Sequence, residues 1–368
     1  MVLTLSCLLL FIICGFVNAE NVVDVANDSD FKLASLKDLP DFARGRIELP
    51  ADDSVLDHEI IQWWYYTGFL DAGDKMYGFE VCFFLGEPTH PQVVHTAITD
   101  VANNKFTFDS VTEVFSKPQV IENRFNFTAG STINSNFVTA NGGDGNDALT
   151  AQIGGPGGYT LDLKLTSNKP PAIHYDGHAY KYPREAGGGY TFYYSRTSLS
   201  VTGTLTLPNN ASPITVTGTS WFDRQFGNLI RVSLKGGWQW FAISLDDDTQ
   251  IMLFFTADVN ADTDPDREIG SMTDSSGKTI PLHIKDASLK VLDTWTSPRS
   301  GCTFPSGWEV TIQGKVYTVQ PLVKDQELGP TTDEQQPWVT PIYWEGASAV
   351  TGDTEGKAYV ELNGFCPR

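Results

Sequence analysis

Gln62-Trp63-Trp64-Tyr65-Tyr66-Thr67-Gly68-Phe69-Leu70, then Asp71-Ala72-Gly73-Asp74, then Tyr77-Gly78-Phe79-Glu80-Val81-Cys82-Phe83-Phe84-Leu85, is the stretch that decides the fold. Two runs rich in aromatic and β-branched residues flank an Asp/Gly cluster, which is the pattern of a β-hairpin. The pattern returns downstream, where Trp238-Gln239-Trp240-Phe241 leads through Asp246-Asp247-Asp248 to Leu253-Phe254-Phe255. Similar short segments at 94–101, 159–165, 190–195, 200–207, 214–219 and 358–362 are separated by Gly, Asn, Asp and Pro. No stretch keeps a 3.6-residue apolar period over about twelve residues, so helix is a minority element. The two similar openings predict an all-β chain of two β-barrel domains, because one barrel of this length would exceed ordinary domain size. The division is expected near Asn228 to Gly237, giving domains 46–228 and 229–368 after a loosely held arm at 20–45.

The stretch Gly218-Thr219-Ser220-Trp221-Phe222-Asp223-Arg224-Gln225-Phe226-Gly227-Asn228 carries the most chemistry. Asp-Arg beside Trp-Phe on a strand needs partners for its charges. A carboxylic acid among rings is a candidate proton donor, because desolvation raises its pKa toward neutrality. The alternative is an Asp223–Arg224 ion pair that closes a strand end. His58 and Glu59, just before the first hairpin, read as exposed loop residues. His174 and His178 have the i, i+4 spacing of a helical zinc site, but Gly177 between them and Pro170-Pro171 before them argue against a helix. The Asp-rich segment 262–266 lacks the Gly and distal Glu of a calcium loop, and the glycine-rich segments 141–146 and 154–158 precede no helix and lack a phosphate-loop Lys.

Residues 1–19 carry no charge, hold an apolar run, and end in Val17-Asn18-Ala19, which reads as a secretory signal and not a membrane span. Of the five cysteines, Cys7 and Cys14 fall in that signal. The remaining odd number allows one bridge, and the apolar setting of Cys82 favours Cys302 with Cys366. Three acceptor patterns for N-glycosylation begin at Asn27, Asn126 and Asn210. A net charge of −20 argues against nucleic acid and anionic membrane surfaces as partners. A secreted monomer is the expectation.

Four segments in order, His58-Glu59-Ile60-Ile61-Gln62-Trp63-Trp64-Tyr65-Tyr66-Thr67-Gly68, Tyr193-Tyr194-Ser195, Trp221-Phe222-Asp223-Arg224-Gln225-Phe226-Gly227, and Tyr343-Trp344-Glu345-Gly346-Ala347 with Tyr359-Val360-Glu361-Leu362, resemble one family. It contains bacterial hydroxyneurosporene synthase (carotenoid 1,2-hydratase), the AttH-like proteins, fungal kievitone hydratase and the lipocalin-like fungal Diels-Alderases. The resemblance implies two tandem lipocalin-like β-barrels, an apolar pocket in or beside the first domain near the interface, and hydration of an isoprenoid double bond without a cofactor. It places the proton donor on Asp223, with Trp221 and Tyr194 as ring faces able to stabilise a carbocation. Trp63, Tyr65, Tyr193, Phe226, Trp238, Trp240 and Arg224 are the expected substrate contacts. Asp223-Arg224-Gln225-Phe226 departs from the Asp-His-Glu-Trp of carotenoid hydratases, so a carotenoid is not implied. The same pocket suits three activities: hydration or dehydration, isomerisation or cyclisation, and carriage of an unchanged lipophilic ligand.

Overall fold

A computed structural model describes residues 45–86, 92–113, 120–133, 136–182, 189–210, 212–228, 237–256, 266–329 and 342–366. The expected signal, most of the arm, the Asn27 acceptor, most of the 262–266 segment and the proposed division between 229 and 236 lie outside them. Within them, strands dominate and the helical turns are short 3-10 pieces, as the absence of a 3.6-residue period requires.

Among the described residues the chain builds two antiparallel, nearly closed barrel-like sheets of 12 and 10 strands, whose main paths hold ten and nine strands with the short remaining strands paired at their sides, beside a two-stranded sheet. The first runs along Lys105–Glu113, Gln92–Asp100, Lys75–Gly86, Ile61–Ala72, Ile214–Asn228, Tyr190–Thr206, Tyr159–Ser167, Asn146–Ile153, Val138–Gly142 and Phe125–Ala129. The second runs along Thr279–His283, Glu268–Thr273, Gln250–Thr256, Trp238–Leu245, Gly356–Asn363, Tyr343–Gly352, Lys315–Pro321, Trp308–Ile312 and Ala287–Val291. Both follow one plan. The opening strand of each sheet pairs on one side with the next strand in sequence and on the other with a strand that returns from the end of the unit. This is the physical content of the aromatic echo between Trp63 and Trp238.

Strand alternation sends every second side chain to the barrel interior. Trp64, Tyr66, Phe79, Val81, Phe83, Tyr194 and Phe222 fill the first core, and Phe241, Ile243, Trp308, Val310, Trp344 and Val360 fill the second. The intervening residues on one side of each barrel are also apolar, so those outer faces cannot be left in water. They pack on each other: Tyr65, Phe69, Cys82, Tyr193 and Trp221 from the first barrel meet Trp240, Met252, Phe254, Ala347 and Tyr359 from the second. Gly78 permits this approach, because a Cβ there would lie 2.7 Å from the Ala347 Cβ. Lys169, buried, ties the barrels further by donating to Gln250 Oε1 at 2.6 Å and to the Asp274 carbonyl at 2.9 Å.

Cys302 and Cys366 form a disulfide with Cα atoms 4.9 Å apart, and Cys82 is a buried free thiol. The bridge joins positions 64 residues apart and ties the end of the described chain to the second core. Cys302→Ser is expected to lower unfolding free energy by about 2–4 kcal/mol, because the unfolded chain regains the entropy of an open loop. Urea denaturation of variant and parent measures this, and coincident midpoints would contradict it.

Candidate functional site

The site lies between the barrels. On Ile214–Asn228, Trp221, Asp223 and Gln225 face the second barrel, whereas Phe222, Arg224 and Phe226 face the first core. Asp223 stands in register with Tyr65 on one neighbouring strand and Ser195 on the other, so the three share a face. The acid is 3% exposed. One carboxylate oxygen accepts from the Ser195 hydroxyl at 2.5 Å and the Trp221 indole N–H at 2.6 Å. The other accepts from the Tyr193 hydroxyl, whose oxygen in turn accepts from the Trp240 indole N–H at 2.9 Å.

Burial pushes the Asp223 carboxyl up to about 7, against the downward pull of the hydrogen bonds from Ser195, Tyr193 and Trp221. All three donors are neutral, so nothing among them opposes desolvation as a cation would. His174 supports the arrangement from behind. Burial pushes it down to about 3, so the ring is neutral, and its Nε2 lies 2.8 Å from the Ser195 oxygen. With the Ser195 proton directed at Asp223, that contact assigns Nε2–H as donor.

The alternative reading, an Asp223–Arg224 ion pair, gives way to a different arrangement. Adjacent residues on a strand point to opposite faces, so Arg224 turns into the first barrel while Asp223 turns out. There the guanidinium donates to the carbonyls of Asp52 and Ser54 and to Gln62 Oε1, and stacks 3.8 Å above the Trp64 ring. Tyr194 also faces the first core, where its hydroxyl bonds Asp53 at 2.5 Å. Phe226 stacks on Phe192 in the same interior. Tyr194, Arg224 and Phe226 are thus separated from Asp223 by the sheet, and Tyr193 takes the place expected of Tyr194.

The structure does bring together Asp223, Trp221, Tyr193, Tyr65 and Trp240: the Trp240 ring stands edge-on to Tyr65 at 5.3 Å and to Trp221 at 6.3 Å. Trp63 and Trp238 share this face and keep partial exposure. Ser195 and His174 were missed as partners of the acid. Ser195 follows Tyr193 by two, the signal of a shared strand face. Glu59 is not an exposed loop residue: it is 1% exposed and accepts from the Tyr190 hydroxyl at 2.9 Å. His174 is buried and His178 exposed, so they do not converge.

Further carboxyls flank the site. Glu80 from the first barrel and Glu345 and Glu361 from the second face Tyr65, whose hydroxyl donates to Glu345. Burial pushes Glu80 and Glu345 well up, and Glu361 up to about 7.

A pH dependence follows. Burial likewise raises Glu59 to about 7 and Asp147 to about 6. A carboxyl with a raised folded pKa holds its proton where the unfolded chain, titrating near 4, has lost it. Its contribution is complete below about 4 and is lost as pH rises toward 7. His95 and His174, lowered to about 3, act oppositely between pH 3 and 6.5. The carboxyls outnumber them, so stability is expected to rise as pH falls from about 7 to about 4.5, by about 1.4 kcal/mol per pH unit for each net proton. Thermal midpoints at pH 5 and 7.5 measure it; a lower midpoint at pH 5 would contradict it.

The AttH-like family model matches residues 42–365. Among solved structures, an AttH candidate from Nitrosomonas europaea is 25% identical with a TM-score of 0.69, covering 87% of this chain and 98% of that one. Kievitone hydratase from Nectria haematococca is 15% identical with a TM-score of 0.63, covering 87% of this chain and 94% of that one. CghA with Sch210972 is 11% identical with a TM-score of 0.50, covering 89% and 98%. At such identities the last two show a shared fold. Comparison with curated proteins finds no match.

Proposed function

The chain belongs to the AttH-like family, and from that premise we propose that it is a cofactor-independent enzyme adding water to, or removing it from, a carbon–carbon double bond of an apolar small molecule. The observation that carries this reading is Asp223: a buried carboxylic acid held by three neutral donors among aromatic rings, with no Lys or Arg bonded to it among the described residues. Protonating an alkene at neutral pH requires an acid that still has its proton, and desolvation without a cation supplies one.

In the forward direction Asp223 gives its proton to one alkene carbon. The positive charge that forms on the other carbon is faced by Trp221, Trp240 and Tyr65. Water adds there and loses a proton, which returns to Asp223. Ser195 and Tyr193 hold the carboxyl orientation throughout, and His174 fixes Ser195. The shared fold with kievitone hydratase supports a hydratase, and the disulfide supports an oxidising compartment. Among the described residues no helix is long and apolar enough to cross a membrane.

The test begins by extracting purified protein with organic solvent and identifying the bound molecule by mass. That molecule is then incubated with the protein in ¹⁸O-labelled water. A product carrying one labelled oxygen supports hydration. An unchanged mass at a new retention time would replace it with isomerisation, and an unchanged molecule with carriage.

A further inference from the structure

We propose that Glu80, Glu345 and Glu361, with the rings of Tyr65, Trp238 and Trp240, form a cation-binding subsite that takes an organic ammonium: an amine or quaternary nitrogen on an alkyl chain. Its place in catalysis rests on the hydration reading, because the same wall would hold the carbocation formed when Asp223 gives up its proton. Binding of an ammonium stands without that reading.

Glu345 and Glu361 lie directly opposite one another on paired strands. Like charges in that position repel and are ordinarily avoided. Glu361 is also opposite Trp240, receives a hydrogen bond from Trp238, and keeps partial exposure, so the cluster meets solvent at this residue. Glu80 approaches from the other barrel and is, like Glu345, 1% exposed.

Carboxyls gathered in this way normally have a cation. Among the described residues none does: the groups acting on these three are other carboxyls, Tyr65 and Trp238. Lys357 shares their face but is directed to Asp71 and lies over the Phe69 ring at 5.3 Å.

Both Glu80 carboxyl oxygens and the hydroxyl of Thr67, in register with Glu80 on the neighbouring strand, have no hydrogen-bond partner. Thr67 is 1% exposed. Buried polar groups are nearly always satisfied, so these point to a ligand. Among the described residues no group of three or more His, Cys, Asp or Glu is arranged to hold a metal ion. The spread carboxyls and ring faces instead match a larger organic cation, which gains cation–π attraction and needs no tight oxygen cage.

The neighbours that titrate are settled. Tyr65, Cys82, Tyr343 and Tyr359 are pushed well up, first by burial and then by these carboxyls, and stay neutral. His95, lowered to about 3, is neutral too. That leaves Asp223 and the three glutamates. Burial raises all four, so they hold protons below about pH 7; an arriving cation replaces protons, so binding there releases them and strengthens as pH rises.

The experiment titrates the full chain with hexyltrimethylammonium, with 1-hexanol and hexanoate as neutral and anionic comparators, by tryptophan fluorescence and calorimetry at pH 6 and 8. The ammonium is expected to bind at least roughly 10-fold tighter than hexanol, more tightly at pH 8, and with proton release. Glu345→Gln and Glu361→Gln should each weaken it by a similar factor. Equal affinity for ammonium and hexanol overturns the subsite, as does undiminished binding in folded Gln variants, which would place the ammonium elsewhere on a chain of net charge −20. Should a variant fail to fold, the wild type decides by itself: no proton release at pH 6, read from calorimetry in buffers of different ionisation enthalpy, also overturns it. Absent ammonium binding beside Asp223-dependent hydration removes the subsite alone. Ammonium binding beside turnover indifferent to Asp223→Asn removes the hydration acid and leaves the subsite.

Discussion

Asp223→Asn is expected to lower turnover of the bound substrate by about 10² to 10⁴-fold, the range for loss of a general acid, in a protein that stays folded. Asn keeps the shape of Asp and one acceptor oxygen, so Ser195 and Trp221 retain their bonds. The amide can donate to Tyr193, whose oxygen already accepts from Trp240 and has a second lone pair for this purpose. The substitution therefore removes the proton together with the acceptor of the Tyr193 hydroxyl, and affinity for an apolar ligand should change by less than about 10-fold. Steady-state rates and direct binding are measured together. A folded variant with undiminished turnover would take Asp223 out of the reaction, and parallel loss of binding and folding would make it structural.

Arg224→Met is expected to cost about 3–5 kcal/mol of stability, the range for removing one partner from a buried charged network. Arg224 is fully buried, and it satisfies the carbonyls of Asp52 and Ser54 and the side chain of Gln62 while lying between the rings of Trp64 and Phe226. Met fills much of the volume but leaves those acceptors unpaired inside the first barrel. Because Arg224 is on the far side of the sheet, the pKa of Asp223 should stay near 7. Urea denaturation gives the stability loss. A stability unchanged within about 0.5 kcal/mol, or a large shift of the Asp223 titration, would contradict this placement.

Much of the architecture could be read from the residues. Hairpins at Asp71-Ala72-Gly73-Asp74 and Asp246-Asp247-Asp248, with an aromatic strand on each side, are local features, and local features survive translation into three dimensions. The bridge between Cys302 and Cys366 followed from counting and from the apolar setting of Cys82. The site was legible only in part. Strand alternation divides Tyr193 from Tyr194 and Asp223 from Arg224, but it does not say which face meets a second barrel. That choice depends on long-range docking, and so Tyr194 was expected where Tyr193 stands. The Asp223–Arg224 pair fails for a reason already present in a strand assignment: neighbours along it point apart. Glu345 and Glu361 have no legible role in their own segments, because carboxyls acquire one here only when Glu80 and Tyr65 arrive from the other barrel. Glu59 looked exposed because it precedes a strand, whereas Tyr190, far along the chain, covers it.

The central claim is that a desolvated, uncharged setting keeps Asp223 protonated near neutral pH, and its most direct measurement needs no substrate. Protein labelled with ¹³C at the aspartate side-chain carboxyl is titrated by NMR, with Asp223→Asn assigning the resonance by its loss. The account predicts a midpoint at about 7. A midpoint near the ordinary aspartate value of 3.8 would mean a permanent anion between the barrels, and would contradict it.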